Sequence, residues 1–263
     1  LSLGMGNALL AVGLVLVYKS SRVINFAHGE LGAFAVAMML MLIRAYDWPY
    51  WPAVVTSLAA TGVLAAIIER TIIQRLFAAP RLLVLVATIG IAQLVTVLRL
   101  VLPKPQVHGK ALFVGGGTQF PVPFKNPVVH FGRVVLLPAD FMILVCGPVL
   151  VLAVVLFLRY SIYGVAIRAA SENAPRARLM GVPVRRVSTM AWVISSVLAG
   201  AAAILLAPKI GFTASEAVGL PLLFRGLAAA ALARFESVGA AFGWGILFGL
   251  ADQLVFYYSG RAG

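Results

Sequence analysis

The chain has 263 residues, of which 62% are hydrophobic and only 11% are charged, and its mean hydropathy is +1.02. A soluble domain usually has about 45–50% apolar and ~25% charged residues, so the composition excludes a water-soluble globule and predicts an integral membrane protein. The formal net charge of +13 is explained by basic residues retained in cytoplasmic loops. Nucleic-acid binding is not predicted, because no basic stripe is interleaved with aromatic residues.

The apolar residues are grouped into runs with the length of membrane spans, for which about 20 helical residues are needed. The runs are 1–18, 31–46, 53–68, 82–102, 139–158, 187–207 and 239–258. We therefore expect an all-α fold: a polytopic transmembrane helical bundle of about seven or eight spans with broken or re-entrant segments, forming a single domain over 1–263. Both ends of the chain lie next to apolar runs, and we expect the chain to be a portion of a longer one.

Basic residues between the runs predict the orientation. The connector 159–186 carries six arginines against the single acid Glu172, and the connector 69–81 carries three arginines. Both are predicted to be cytoplasmic, which places the Gly- and Pro-rich loop 103–138 outside and the first connector, with Lys19, inside. Glu69, with its neighbour Arg70, is predicted to anchor the membrane boundary.

Two segments interrupt the apolar pattern. The first is 20–30, in which polar residues follow the first run, and the second is 218–235, which contains Arg225 and Arg234 with eight uncharged residues between them. Eight helical residues rise about 12 Å and cannot cross a bilayer. Broken helices are tolerated only against protein or a water-filled cavity, so these segments are the predicted location of a solute pathway.

The segment Asn25-Phe-Ala-His-Gly-Glu30 is the sharpest local feature. Asn25 is a candidate N-cap for the next helix, Glu30 would be favoured near that helix start, and His28 is able to change charge near neutral pH. The segment is interpreted either as part of the solute pathway or as a polar helix cap at the cytoplasmic interface. The spacing alone does not decide between these two interpretations.

The connector 159–186 is predicted to contain a short helix, a turn and a second short helix. Ile167, Ala170 and Ala174 would form one apolar face, and Leu179 and Met180, with Val182, another. A helix that docks into a partner's groove needs such faces. An amphipathic helix lying on anionic lipid is the alternative.

Asp252 stands in the middle of the last run and is predicted either to face a pathway or to form a hydrogen bond between helices. Small-residue spacings predict close helix packing at Gly239 with Gly243 and at Gly245 with Gly249.

Catalytic and metal motifs are not found. The chain lacks His-Glu-x-x-His, a Walker phosphate loop and Gly-x-Ser-x-Gly. Its three histidines do not predict a metal site, because His108 and His130 lie in the outward loop, away from His28.

Three blocks of the chain carry a resemblance to a known family: 3–18, 24–30 and 163–187. The chain resembles the permease subunits of branched-chain amino acid ABC importers, and is similar to the LivH-like rather than the LivM-like branch. Glu172 and Gly181 stand where the family has a Glu and a Gly, and Asp252 where it commonly has a Glu. The family's Gly-rich turn is replaced here by Ala233-Arg-Phe-Glu-Ser-Val238, and its final span is absent after Gly263.

The resemblance implies the permease domain of an importer in the bacterial plasma (inner) membrane, without an ATPase of its own. It implies these partners: a second permease subunit, two cytoplasmic ATPases, an external solute-binding protein and membrane lipid. No cofactor is expected on this chain, and ATP would be hydrolysed by the partners. The default solutes are leucine, isoleucine and valine.

The implied roles are assigned to eight residues. For the pathway or signature they are Asn25, His28, Glu30 and Asp252, and for ATPase coupling Arg168, Glu172, Arg178 and Gly181. The alternative function is a passive channel or secondary transporter for a small polar solute such as urea or an amide. A polytopic membrane enzyme comes third, because no nucleophile–base pair is evident.

Overall fold

The computed structural model describes residues 1–77, 79–102, 120–123, 129–131, 134–210 and 218–259. Within these residues the chain forms ten α-helices, a short 3-10 helix at Ile73–Leu76 and one two-stranded hairpin. The α-helices are α1 (Ser2–Ser21), α2 (His28–Ala45), α3 (Tyr50–Thr71), α4 (Arg81–Val101), α5 (Pro138–Tyr160), α6 (Ile162–Glu172), α7 (Ala174–Leu179), α8 (Val184–Ile210), α9 (Gly219–Leu232) and α10 (Val238–Ser259).

Seven of the helices are long and apolar enough to cross a membrane: α1, α2, α3 with the 3-10 helix, α4, α5, α8 and α10. The predicted all-α polytopic bundle is therefore confirmed. Helix α9 has 14 residues and rises only about 21 Å, which is shorter than the ~30 Å hydrocarbon core. The second interrupted segment thus forms a short helix packed against α1, α2 and α10.

Helices α1, α2 and α8 form the interior of the bundle, and their apolar residues are buried around the whole circumference. In α1 every residue from Asn7 to Val17 is buried. A helix that is apolar on all sides gains most from being surrounded by protein. Helices α3, α4 and α5 instead bury one face each and expose apolar side chains on the other, as expected where a helix contacts lipid.

Helices α1 and α10 approach closely through glycines. A Cβ atom at Gly245 would overlap the backbone of Ala8, and one at Gly249 would overlap the backbone of Gly4. The predicted packing role of this glycine pair is confirmed. A Cβ at Gly243 would meet no described atom within 4 Å, so within the described residues the spacing that starts at Gly239 makes no close helix contact.

The basic connectors meet at one end of the bundle. The Nζ of Lys19, at the end of α1, donates to the carbonyl of Glu236, which precedes α10, at 2.9 Å. Gln74, in the 3-10 helix, donates to Thr189 of α8 at 3.1 Å. This is the end that the positive-inside rule predicts to be cytoplasmic.

The opposite end holds a second polar cluster. The Nζ of Lys209, near the end of α8, pairs with the Asp140 carboxylate in the first turn of α5 and donates to the Ser2 hydroxyl at 2.8 Å. These contacts tie three helix ends together on the side predicted to face outward.

The outward loop contains an antiparallel hairpin of β1 (Val129–Phe131) and β2 (Val134–Leu136), with Val129 opposite Leu136. The remainder of the predicted loop 103–138, including His108, lies largely outside the described residues.

Candidate pathway segment and coupling surface

The connector between α1 and α2, residues 22–27, enters the bundle instead of running along its surface. Asn25 is buried, its Oδ1 accepts from the Ala27 amide at 2.9 Å, and its carbonyl accepts from the His28 amide at 3.2 Å. The Phe26 amide donates to the Thr88 hydroxyl of α4 at 3.2 Å. Asn25 therefore closes a turn just before α2, and Ala27, not Asn25, is the N-cap residue.

His28 is fully buried and joins three helices. Its Nε2 lies 3.1 Å from the Leu10 carbonyl of α1, and its Nδ1 lies 3.1 Å from the Ser195 hydroxyl of α8. Ser195 in turn donates to the Gly13 carbonyl at 2.8 Å. A Cβ at Gly13 would lie 2.7 Å from the imidazole Cε1, so this position on α1 admits the ring only as glycine. Both ring nitrogens are occupied by protein partners in this arrangement.

Glu30 forms a buried ion pair. Its Oε2 lies 3.6 Å from Nη2 of Arg99 on α4, and the two side chains are 8% and 1% exposed. The first residue of α9, Gly219, packs against the carboxylate so tightly that a Cβ there would overlap it. The pair thus connects α2 with α4 and with the start of the short helix α9.

The predicted pathway residues Asn25, His28 and Glu30 are therefore brought together inside the bundle. The alternative interpretation of this segment, a polar cap at the cytoplasmic interface, is wrong, because all three side chains are buried between helices. Burial in a membrane favours internal partners for polar groups, and α1 and α8 supply them for His28, while α4 supplies Arg99 for Glu30.

The connector 159–186, which is predicted to be cytoplasmic, forms the two predicted short helices α6 and α7. Ser161 caps α6 by accepting from the Tyr163 amide, and Asn173 caps α7 by accepting from the Arg176 amide at 3.0 Å. Gly181 ends the second helix with φ of +82°, the left-handed conformation that glycine adopts without strain.

The two faces of this connector have different surroundings. Ile167 and Ala170 pack into the bundle, whereas Leu179 and Met180 are 88% and 85% exposed. The four predicted coupling residues Arg168, Glu172, Arg178 and Gly181 are all exposed as well. An apolar pair at the tip of a capped helix, surrounded by charged side chains, is typical of a docking surface.

Arg22 links the coupling connector to the buried segment. Its guanidinium donates to the Ser171 carbonyl in the last turn of α6. Carbonyls in that turn have no intrahelical partner, and a cation there is also favoured by the helix dipole. The residue that begins the 22–27 connector is thus bonded directly to the cytoplasmic helix.

A basic cavity lies beside α7. Its volume is about 860 Å³, and its lining includes two of the coupling residues, Arg178 and Gly181. Arg75, Arg185 and Arg186 also line it, so four arginines surround one space. The connectors 69–81 and 159–186 therefore build one basic surface, on the side predicted to be cytoplasmic.

Asp252 is separate from the buried segment. It is exposed, stands in the outer half of α10, and lines a cavity of about 530 Å³ between α9 and α10. The prediction that it lies at mid-span is wrong. Residue Gly249, one turn earlier, already packs beside Gly4 near the outer end of α1.

Several functional partners were not predicted from the sequence. Arg99 contacts Glu30 and Ser195 contacts His28, and both partners are distant from the 22–27 connector in the chain. The one signal visible in the sequence was Arg99 itself, as a lone arginine in an apolar run. Glu69 was predicted to be a boundary anchor, but it is fully buried and its Oε2 accepts from Thr189 at 2.6 Å. Gln74 donates to the same oxygen at 2.9 Å, because α3 and α8 meet at this level.

Comparison with known proteins identifies the family to which the chain belongs. The sequence model of the family described as branched-chain amino acid transport system / permease component matches residues 1–262. The chain is 26% identical over 260 residues to the high-affinity branched-chain amino acid transport system permease protein BraD of Pseudomonas aeruginosa, covering 96% of this chain and 82% of that one.

Two further relatives are similar over nearly the whole chain. Identity to the permease protein LivH of Escherichia coli strain K12 is 28% over 266 residues, covering 98% of this chain and 84% of that one. Identity to the probable LivH of Methanocaldococcus jannaschii is 25% over 259 residues, covering 97% and 78%. No solved structure matches the chain significantly.

Seven spans around a buried polar segment define a multi-pass α-helical membrane protein, with a short helix that begins inside the bundle. Within that class, the chain belongs to the permease components of branched-chain amino acid transport systems, and the resemblance found in the sequence is confirmed. It is accordingly a transport subunit of an ABC importer, placed in the inner membrane.

Proposed function

We propose that this chain forms half of the membrane pathway of an ATP-driven importer of branched-chain amino acids, and that α6 and α7 receive the movement of a cytoplasmic ATPase. The observation that carries the coupling role is the α6–α7 connector. Both of its helices have N-cap residues, and its tip exposes the apolar side chains of Leu179 and Met180. A second permease subunit, two ATPases and an external binding protein complete the proposed assembly.

The proposed route of movement follows the contacts of the connector. A displacement of α6 acts on Arg22 through the Ser171 carbonyl. Arg22 begins the 22–27 connector, which leads to His28, and His28 is bonded to α1 and α8. A shift at the cytoplasmic surface would therefore reach the interior helices through the Arg22 hydrogen bond, the main chain of the connector and the hydrogen bonds of His28.

The proposed roles of the predicted residues follow from their positions. Arg178 and Gly181 position the ATPase beside the basic cavity, and Arg168 and Glu172 flank the same surface. Asn25, His28 and Glu30 hold the interior end of the route in a fixed geometry. No catalytic function is assigned to this chain, because ATP hydrolysis is assigned to the partners.

The coupling proposal is tested with Gly181→Trp and Arg178→Glu in the assembled complex in proteoliposomes. ATP-driven uptake of labelled leucine should fall at least about tenfold in both, with the permease still folded by size-exclusion chromatography. Gly181→Ala is the control for backbone strain at the positive φ, and Arg176→Glu is the control for charge on the same helix outside the cavity lining.

Unchanged uptake in both test variants would contradict the coupling role. Deletion of 166–182 provides a further test, because a passive channel needs no docking helix. Uptake that persists without ATP after this deletion would favour the channel over the importer.

A further inference from the structure

The cavity between α9 and α10 is lined by charges of both signs. Arg225 of α9 and Asp252 of α10 face the same space of about 530 Å³. This volume is within the range of about 300–1,000 Å³ that is typical of small-molecule sites.

The side chains of Arg225 and Asp252 form no ion pair with any other residue that the structure describes. Among the described residues no ion pair joins Arg225 to Asp252, and the Nη1 of Arg225 is buried without a hydrogen-bond partner. A guanidinium nitrogen buried in a membrane protein without a partner is costly, so a ligand that supplies an acceptor would be stabilised there.

The remaining walls of the cavity are apolar. They are formed by the side chains of Phe224, Leu227, Ala228, Ala231 and Phe248. The cavity thus combines one cationic group, one anionic group and an aliphatic and aromatic surface. This combination matches a small zwitterion with an apolar side chain.

The position of the cavity suits solute entry from outside. Gly249, which precedes Asp252 by three residues, packs beside Gly4 near the outer end of α1, and Gly226, next to Arg225, packs beside Leu10. The two charges therefore stand at different depths in the outer half of the bundle, with Asp252 nearer the surface.

We propose that this cavity is a binding site for the zwitterionic backbone of an α-amino acid. The guanidinium of Arg225 receives the α-carboxylate, the carboxylate of Asp252 receives the α-ammonium, and the apolar walls contact the side chain. Charge-assisted hydrogen bonds to the α-carboxylate and to the α-ammonium orient the solute, and the apolar surface favours an aliphatic side chain. The assignment rests on the proposed import function, because it names the solute site of the same pathway.

The test uses the complete importer in proteoliposomes with Asp252→Asn and Arg225→Gln. Initial rates of leucine uptake should fall at least about tenfold in each, since a hydrogen bond to a charged group typically has an effect of this size. Asp252→Glu and Arg225→Lys keep the charge and should retain more uptake than the neutral variants. Glu236→Gln, which neutralises a carboxylate on the same helical hairpin outside the cavity, should leave uptake unchanged.

Co-purification of the second permease subunit is measured on the same samples. Lost uptake with intact assembly supports the site. Uptake equal to the unmodified complex would overturn it. Loss of the second subunit together with uptake would also overturn it, because the charges would then hold the assembly. Absence of leucine uptake in the unmodified complex would instead refute the proposed function.

Discussion

The contribution of the buried ion pair between Glu30 and Arg99 to the stability of the bundle can be tested quantitatively. The two charged atoms are 3.6 Å apart, and Arg99 is 1% exposed. At an effective dielectric constant of about 20, their Coulomb attraction is about 5 kcal/mol. Removing one partner leaves the other charge buried, and a loss of about 3–5 kcal/mol in the free energy of unfolding is expected for Glu30→Gln or Arg99→Gln.

The double variant Glu30→Gln with Arg99→Gln removes both charges and should be less destabilised than the sum of the single variants. A coupling free energy of about 3 kcal/mol, the upper end of the range for residues in contact, is expected from the double-mutant cycle, measured by SDS-induced unfolding in bicelles. The cycle for Lys209→Gln and Asp140→Asn is the control. Lys209 is 22% exposed, so its pair should give a smaller coupling. Additive effects at Glu30 and Arg99 would refute the reasoning.

Two further substitutions test the backbone arrangement. Gly249→Val should destabilise the bundle by about 1–3 kcal/mol or prevent its folding, because its Cβ would overlap Gly4, whereas Gly243→Val has open space and should have little effect on the unfolding midpoint in bicelles. Arg234→Gly should raise the melting temperature in detergent, because Arg234 has φ of +56°, a conformation that costs about 1–2 kcal/mol for residues other than glycine. An unchanged or lower melting temperature would contradict this account.

The spans were predictable because the signal for each is local. A run such as 139–158 is apolar over the length of a bilayer, whatever the rest of the chain does. The broken segment 218–235 was also predictable, because Arg225 and Arg234 leave too few uncharged residues between them to cross. The strain at Arg234 and Phe235 explains why a Gly-rich turn is expected at this position in the family, since both residues have positive φ.

The partners of the buried segment were not predictable from a single sequence. His28 contacts Leu10 and Ser195, and the last of these is 167 residues away in the chain. Nothing in the local pattern around Ser195 distinguishes it from other small polar residues in an apolar helix. Glu69 was also not predictable as a buried residue. A carboxylate beside an arginine at the end of an apolar run gives the same sequence pattern whether the side chain is exposed or buried.

The central position of α1 has a consequence for biosynthesis. This helix leaves the ribosome before its main neighbours α5, α8, α9 and α10, all of which start at residue 138 or later. While these helices are being made, the glycine face of α1 has no partner in the bundle. The packing of α1 is therefore complete only after α10 has been inserted, and until then its α10-facing side is covered by lipid or by the insertion machinery. A truncation before α10 should leave α1 without its closest packing surface and make the chain a substrate for membrane quality control.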